Sequence, residues 1–141
     1  MIVTIRDEPP HDHAGMEVLG YDECLRLAGS EPVGRIAFAD GGDIHVFPVN
    51  HCVVDGLVAF LTDDGTKLGA ATDGSVVAFE VDHFDADRRA GWSVLIKGRA
   101  TLAGDSPLQA RLSSAGLRPW RTAPRPEWVL IRPDAVTGRR L

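Results

Sequence analysis

The segment Thr62-Asp63-Asp64-Gly65-Thr66-Lys67-Leu68 holds the most suggestive chemistry of the chain. A β-type run ends there, a glycine turns the backbone, and a short helical pattern opens on a hydroxyl and an ammonium. Free backbone N–H groups and the positive end of a helix dipole converge at such a point. Together with Thr66 and Lys67 they make a site for a phosphate monoester. The GxxxxGK(S/T) spacing of a Walker loop is absent. The plainer reading of the same residues is a hairpin glycine, a threonine cap and a solvent-facing lysine.

Other candidates lie on either side of it. Gly34-Arg35-Ile36-Ala37-Phe38 opens an apolar strand with an arginine, which faces either a ligand or a carboxylate. Pro48-Val49-Asn50-His51 sets a proline inside a strand pattern, either to let freed backbone groups meet the polar edge of a heteroaromatic ring or as an ordinary edge-strand proline. His51, beside that contact, is the one acid/base candidate. Phe79-Glu80-Val81-Asp82 puts two carboxylates on one strand face, as acid/base chemistry, a metal or a solvated surface would use them. Gly91-Trp92-Ser93-Val94 offers a flat cover and a hydroxyl, or ordinary core packing. His11 and His13 form an incidental pair, the other histidines have no metal-ligand spacing, and neither GxSxG nor a Cys–His pattern occurs.

These residues need strands to hold them. Residues 1–15, rich in charge, His and Pro, are expected as a flexible arm, with one domain over 16–141. A short helix is expected at 21–28 with Gly29 as its stop. Strands follow at 33–39, at 44–54 (broken or bulged at Pro48), at 57–62, at 75–82, at 91–102 with a bend at Gly98, and at 128–132. Asp40-Gly41-Gly42-Asp43 and Asp55-Gly56 are hairpin turns. Residues 66–72 and 107–115 are helical, and 83–90 form a polar loop. About six antiparallel strands with short helices at their corners imply a small barrel.

The bulk composition sets limits. The 141 residues suit one core. A net charge of −5 argues against general nucleic-acid binding. No apolar run approaches the ~20 residues of a membrane span. Cys24 and Cys52 form no CxxC and read as reduced thiols of a cytoplasmic protein. Residues 111–141 carry a net +5 on a body of −10. Those arginines are either solvated or face an anion, be it a ligand phosphate or the acidic surface of a second subunit.

Taken in order, Asp22-Glu23-Cys24-Leu25, Val33-Gly34-Arg35-Ile36-Ala37-Phe38, Pro48-Val49-Asn50, Gly65-Thr66-Lys67-Leu68, Phe79-Glu80-Val81-Asp82, Gly91-Trp92-Ser93-Val94 and Thr137-Gly138-Arg139-Arg140-Leu141 resemble the pyridoxamine 5′-phosphate oxidase-like flavin-binding proteins, in their short actinobacterial form. The resemblance spans about residues 16–141 and implies a mainly β fold, a six-stranded antiparallel split barrel. It implies a homodimer with FMN at the subunit interface and a small-molecule substrate or electron donor. Thr62, Thr66 and Lys67 would meet the phosphate. Arg35, Ile36 and Ala37, with Pro48, Val49 and Asn50, would line the ribityl chain and ring. Trp92 and Ser93 would reach across from the other subunit, and the Arg139-Arg140 end would lie near the site. The longer C-terminal pattern of true pyridoxamine-phosphate oxidases is missing, which sets that activity aside. The deazaflavin coenzyme F-420, or a non-catalytic flavin-binding role, are the alternatives on the same barrel.

Overall fold

The computed structural model describes residues 9–63, 68–104, 107–117, 120 and 126–141. Its elements run β1 (Glu17–Val18), α1 (Tyr21–Ser30), β2 (Val33–Asp40), β3 (Asp43–Val54), β4 (Leu57–Asp63), α2 (Leu68–Thr72), β5 (Val76–Asp85), β6 (Ala90–Leu102), α3 (Leu108–Ser113) and β7 (Pro126–Arg140). The sheet order is β1-β7-β4-β3-β2-β5-β6, and β7 also pairs with β6, which closes the sheet into a ring. All pairings are antiparallel. The expected mainly β split barrel is the observed one: six long strands plus the two-residue β1.

The turns form for the reasons visible in the sequence. Gly41 and Gly42 adopt φ of 59° and 87°, and Asp55 and Gly56 adopt 52° and 75°. Two successive positive φ values are what a tight hairpin needs. Helix α1 places Asp22 and Glu23 in its first turn, where the dipole favours them. It buries Cys24, Leu27 and Ala28 along one stripe. The helix runs past Gly29 and stops before Glu31, which is extended at φ −107° and ψ 140° because Pro32 follows it.

Inside the ring, Ile36, Val58, Phe60, Phe79, Val81, Val94, Ile96, Val129 and Ile131 are fully buried, and α1 packs on the same cluster. A second cluster lies on the outer face, where α3 sets Leu112 against Ala59 and Trp128. Helix α3 thus covers the outside of β4 and the start of β7. Nothing described covers the outside of β2, β5 and the first half of β3.

Three expectations need correction. β3 is not broken at Pro48: its pairing with β2 runs unbroken from Val33↔Asn50 to Asp40↔Asp43. The His51 N–H donates to Pro32 O (3.1 Å), so by alternation Pro48 falls at a position whose missing N–H points away from β2. There β3 has no outer partner, because its pairing with β4 covers only His51–Val54. Second, β5 continues to Asp85 through most of the expected polar loop. Third, the last strand is not five residues but fifteen. Pro133 and Gly138 look like breakers, yet Pro133 falls opposite Gly98, where a β-bulge between Lys97 and Gly98 shifts the register. A Cβ on Gly98 would stand 2.0 Å from Arg132 O, so glycine is required at that bend.

Candidate functional site

Alternation along the strands splits the sequence-derived site residues between two faces. Arg35 and Ala37 of β2 point outward, level with Pro48 and Val46 of β3 and with Glu80 and Ala78 of β5. Ser93 of β6 stands across from Asp82 of β5, and Leu95 across from Glu80. This outer face therefore collects Arg35, Ala37, Pro48, Asn50 and Ser93. Its floor is made of small residues, with Ile44, Val46 and Val76 strongly exposed around it. On the side of β3 away from β2, the main chain of Val46 and Pro48 meets no strand among the described residues.

The remaining candidates lie elsewhere. Ile36 is fully buried and Val49 packs on the core, so only their main chains are available to a ligand. Trp92 packs against the core and does not share the outward side of Ser93. Thr62 is buried near the end of β4, and its hydroxyl donates to Asp63 O (3.1 Å). Thr66 and Lys67, with Gly65, lie outside the described residues.

His51 is 3% exposed. Its Nε2 lies 2.6 Å from Ala28 O at the end of α1; a carbonyl only accepts, so Nε2 carries the proton. Nδ1 is then a bare acceptor, and it has no partner. The ring meets Phe79 edge-on at 5.0 Å. Burial lowers its pKa, against the opposing effects of Ala28 O and Glu31. This geometry docks α1 on the barrel and keeps the imidazole off the face that Pro48 and Asn50 share.

Charge on the outer face is concentrated in one cluster. Arg35 Nη1 lies 3.5 Å from Glu80 Oε1 and 3.6 Å from Asp82 Oδ2. Glu80 Oε1 is buried and has no hydrogen-bond partner among the described residues; the guanidinium is close enough for attraction but is not aligned to donate. Burial, reinforced by the adjacent Asp82 and opposed by Arg35, pushes the Glu80 carboxyl up to about 7. The sequence already marked Glu80 and Asp82 as a carboxylate pair on one face, and the structure adds the cation between them.

Asn50 donates through Nδ2 to Pro32 O (3.4 Å) and accepts at Oδ1 from the Trp120 N–H (3.1 Å). Trp120 is 74% exposed, which leaves a large aromatic beside Asn50. The sequence reading did not single it out, because an isolated tryptophan there carries no periodic signal.

Arg111, Arg139 and Arg140 meet carboxylates of their own chain. Arg139 Nε donates to Asp12 (3.1 Å), and Arg140 reaches Glu23 (2.9 Å) and Glu17 (3.4 Å). Arg111 pairs with Asp55. Asp12 also accepts from the N–H groups of Ala14 and Met16, so this part of the N-terminal segment is tied to β7. Among the described residues no group of three His, Cys, Asp or Glu can hold a metal ion, and no helix is long and apolar enough to cross a membrane.

A ring-closed antiparallel barrel with a helix packed on its core, and one outer face bare of described residues, is a split-barrel protein. A model of the pyridoxamine 5′-phosphate oxidase family matches residues 21–140. An uncharacterised protein of Mycobacterium tuberculosis, Rv0080, is 39% identical over 128 residues, covering 87% of this chain and 84% of its own. The FAD binding protein from Mycobacterium smegmatis superposes with a TM-score of 0.78 at 36% identity, over 88% of this chain and 98% of that one. A conserved protein of unknown function from Corynebacterium diphtheriae, DIP1874, does so with a TM-score of 0.74 at 32% identity, over 88% and 96%. The chain belongs to the pyridoxamine 5′-phosphate oxidase family.

Proposed function

We propose that this chain is a flavin-binding oxidoreductase that works as a homodimer, with the flavin seated on the uncovered face of β3, β2 and β5. The observation that carries the reading is the convergence there of Arg35, Pro48 and Asn50 around a floor of Ala37 and Ala78, beside an open strand edge. The floor admits a flat ring, and the strand edge presents main-chain groups to the ring's polar rim. The 36% identical M. smegmatis protein is itself described as FAD binding, which supports the same ligand class here.

In this reading the phosphate is held by Thr62, Thr66 and Lys67. Arg35 and Ala37 contact the cofactor through side chains, and Ile36 and Val49 through their main chains, because their side chains belong to the core. Ser93 completes the site from the second copy, joined by Trp92 through its main chain, because the Trp92 side chain packs on the core. The bound flavin would supply a two-electron carrier, and the protein's task is to position it and control water and oxygen around it. Glu80, beside Asp82, is the carboxyl on this face able to hold or give up a proton near neutral pH. His51 stays in the core as the contact between α1 and the barrel.

The cofactor proposed is FMN. FAD is the second reading and rests on the M. smegmatis relative. The deazaflavin coenzyme is the third reading; its anionic tail needs free cations, and Arg111, Arg139 and Arg140 among the described residues already pair within the chain. Titrating the protein with FMN, FAD and the deazaflavin by fluorescence quenching separates the three. Saturable binding of either flavin in preference to the deazaflavin is expected. Tighter deazaflavin binding overturns the cofactor assignment.

A further inference from the structure

The charged cluster of the outer face is out of balance. Arg35 faces two carboxylates, Glu80 directly across the β2–β5 pairing and Asp82 two residues further along the same side of β5. Fully ionised, the three carry a net −1, and Glu80 Oε1, which is buried, has no hydrogen-bond partner among the described residues. No second cation among the described residues corrects this. Pro48 lies beyond Arg35 on β3, while Leu95 and Ser93 lie across from Glu80 and Asp82 on β6. Lys97, across from Ala78, makes no ion pair with either carboxylate. Arg139, across from Ser93 on β7, is committed to Asp12.

Solvent tolerates this imbalance while the face is open: the side chains of Arg35, Glu80 and Asp82 are 45%, 34% and 28% exposed. Covering the face removes that water, and an uncompensated charge in a closed interface is strongly unfavourable. A two-fold dimer doubles the difficulty, because each copy brings the same −1 cluster to the same contact. One proton per chain resolves it. The protonated carboxyl donates to its neighbour, Arg35 balances the remaining carboxylate, and the orphaned oxygen can gain a role.

We propose that pairing of two copies across the β3–β2–β5–β6 face takes up a proton at the Glu80–Asp82 pair of each chain, so that the dimer tightens at mildly acidic pH and loosens above neutral. The proposal rests on the homodimer reading given above. The second copy is the fitting occupant because Ile44, Val46 and Val76 flank the cluster with exposed apolar surface, which a copy of the same surface covers. The direction agrees with the free chain, where burial and Asp82 already raise the Glu80 carboxyl to about 7. A raised value means the proton is held below that pH and lost as pH rises through it.

The test is sedimentation equilibrium of the full chain, with and without FMN, from pH 6.0 to 8.5. With as many as two protons per dimer, the dissociation constant should rise above pH 7 by up to about a hundredfold per pH unit. Glu80→Gln, which mimics the protonated carboxyl, should keep the tight value across the range, and Asp82→Asn should do the same. His83, which pairs with Glu31 at the end of α1, is present in all three proteins, so any effect of it is separated by comparison. A wild-type dimer whose constant does not change with pH overturns the coupling and leaves the dimer standing. The wild-type slope persisting in Glu80→Gln also overturns it. A monomer at every pH overturns the homodimer reading itself and the coupling with it.

Discussion

Gly34 immediately precedes Arg35 and faces the core, so a single methyl group there tests how the barrel supports the outer face. A Cβ at this position would stand 2.4 Å from both Cε1 and Cζ of Phe79 and 3.1 Å from Glu80 O. Carbon atoms rest at about 3.5–4.0 Å, so the ring would have to withdraw by roughly 1 Å or more. It has nowhere to go: Phe79 is fully buried between His51 at 5.0 Å and Phe60 at 6.4 Å. Overpacking of this kind costs about 1–3 kcal/mol. With a fully buried ring as the obstacle, Gly34→Ala is expected near the upper half, about 2–3 kcal/mol, or roughly 6–10 °C in Tm for a chain of this size. Phe79→Ala alone should cost about 3–5 kcal/mol. In the Phe79→Ala background, however, Gly34→Ala should be nearly neutral, because the obstacle is gone. A double-mutant cycle by urea unfolding should therefore give a coupling of about 2 kcal/mol or more. An equal loss in both backgrounds would refute the packing argument.

Three further outcomes follow from the same geometry. The buried, neutral His51 has a lowered pKa, so the unfolded chain binds the extra proton. Its contribution to stability is complete above its ordinary value of 6.5 and declines as pH falls below it, and urea unfolding at pH 5 to 8 should show a slope that His51→Gln reduces. Glu23, held at about 2 by Arg26 and Arg140, should stay ionised through mild acid; its contribution is present above the ordinary 4.5 and fades as pH falls toward 2. Carboxyl NMR titration of Arg140→Ala should show the Glu23 midpoint moving up. In the proposed flavin site, Lys67→Ala removes a charge-assisted phosphate contact worth about 1.5–3 kcal/mol, a roughly 10- to 100-fold loss of FMN affinity. Unchanged affinity would exclude Lys67 from the site.

Strand periodicity and turn chemistry made most of the barrel legible. Asp40-Gly41-Gly42-Asp43 and Asp55-Gly56 fixed two hairpins because paired positive φ values admit few residues. The errors fell where tertiary pairing overrode local signals. Pro133 and Gly138 read as a strand end, but one sits at a bulge and the other beneath Cys24 and Leu19 of the α1 end. Pro48 read as a break because its free N position is harmless only at an edge, and edges are set by topology. For the site, alternation put Glu80 and Asp82 on one face, while the split of Arg35 and Ala37 from Ile36 came only from the structure. Alternation could not say which in-chain carboxylates would meet Arg139 and Arg140, since those contacts join residues more than 100 positions apart.

The central claim, a flavin on this barrel, is tested most directly by the visible spectrum of the purified protein, followed by mass spectrometry of the released chromophore. The account predicts a yellow protein with flavin absorption bands, or one that gains them on adding FMN or FAD, at one flavin per chain. A colourless protein that takes up neither flavin would contradict it.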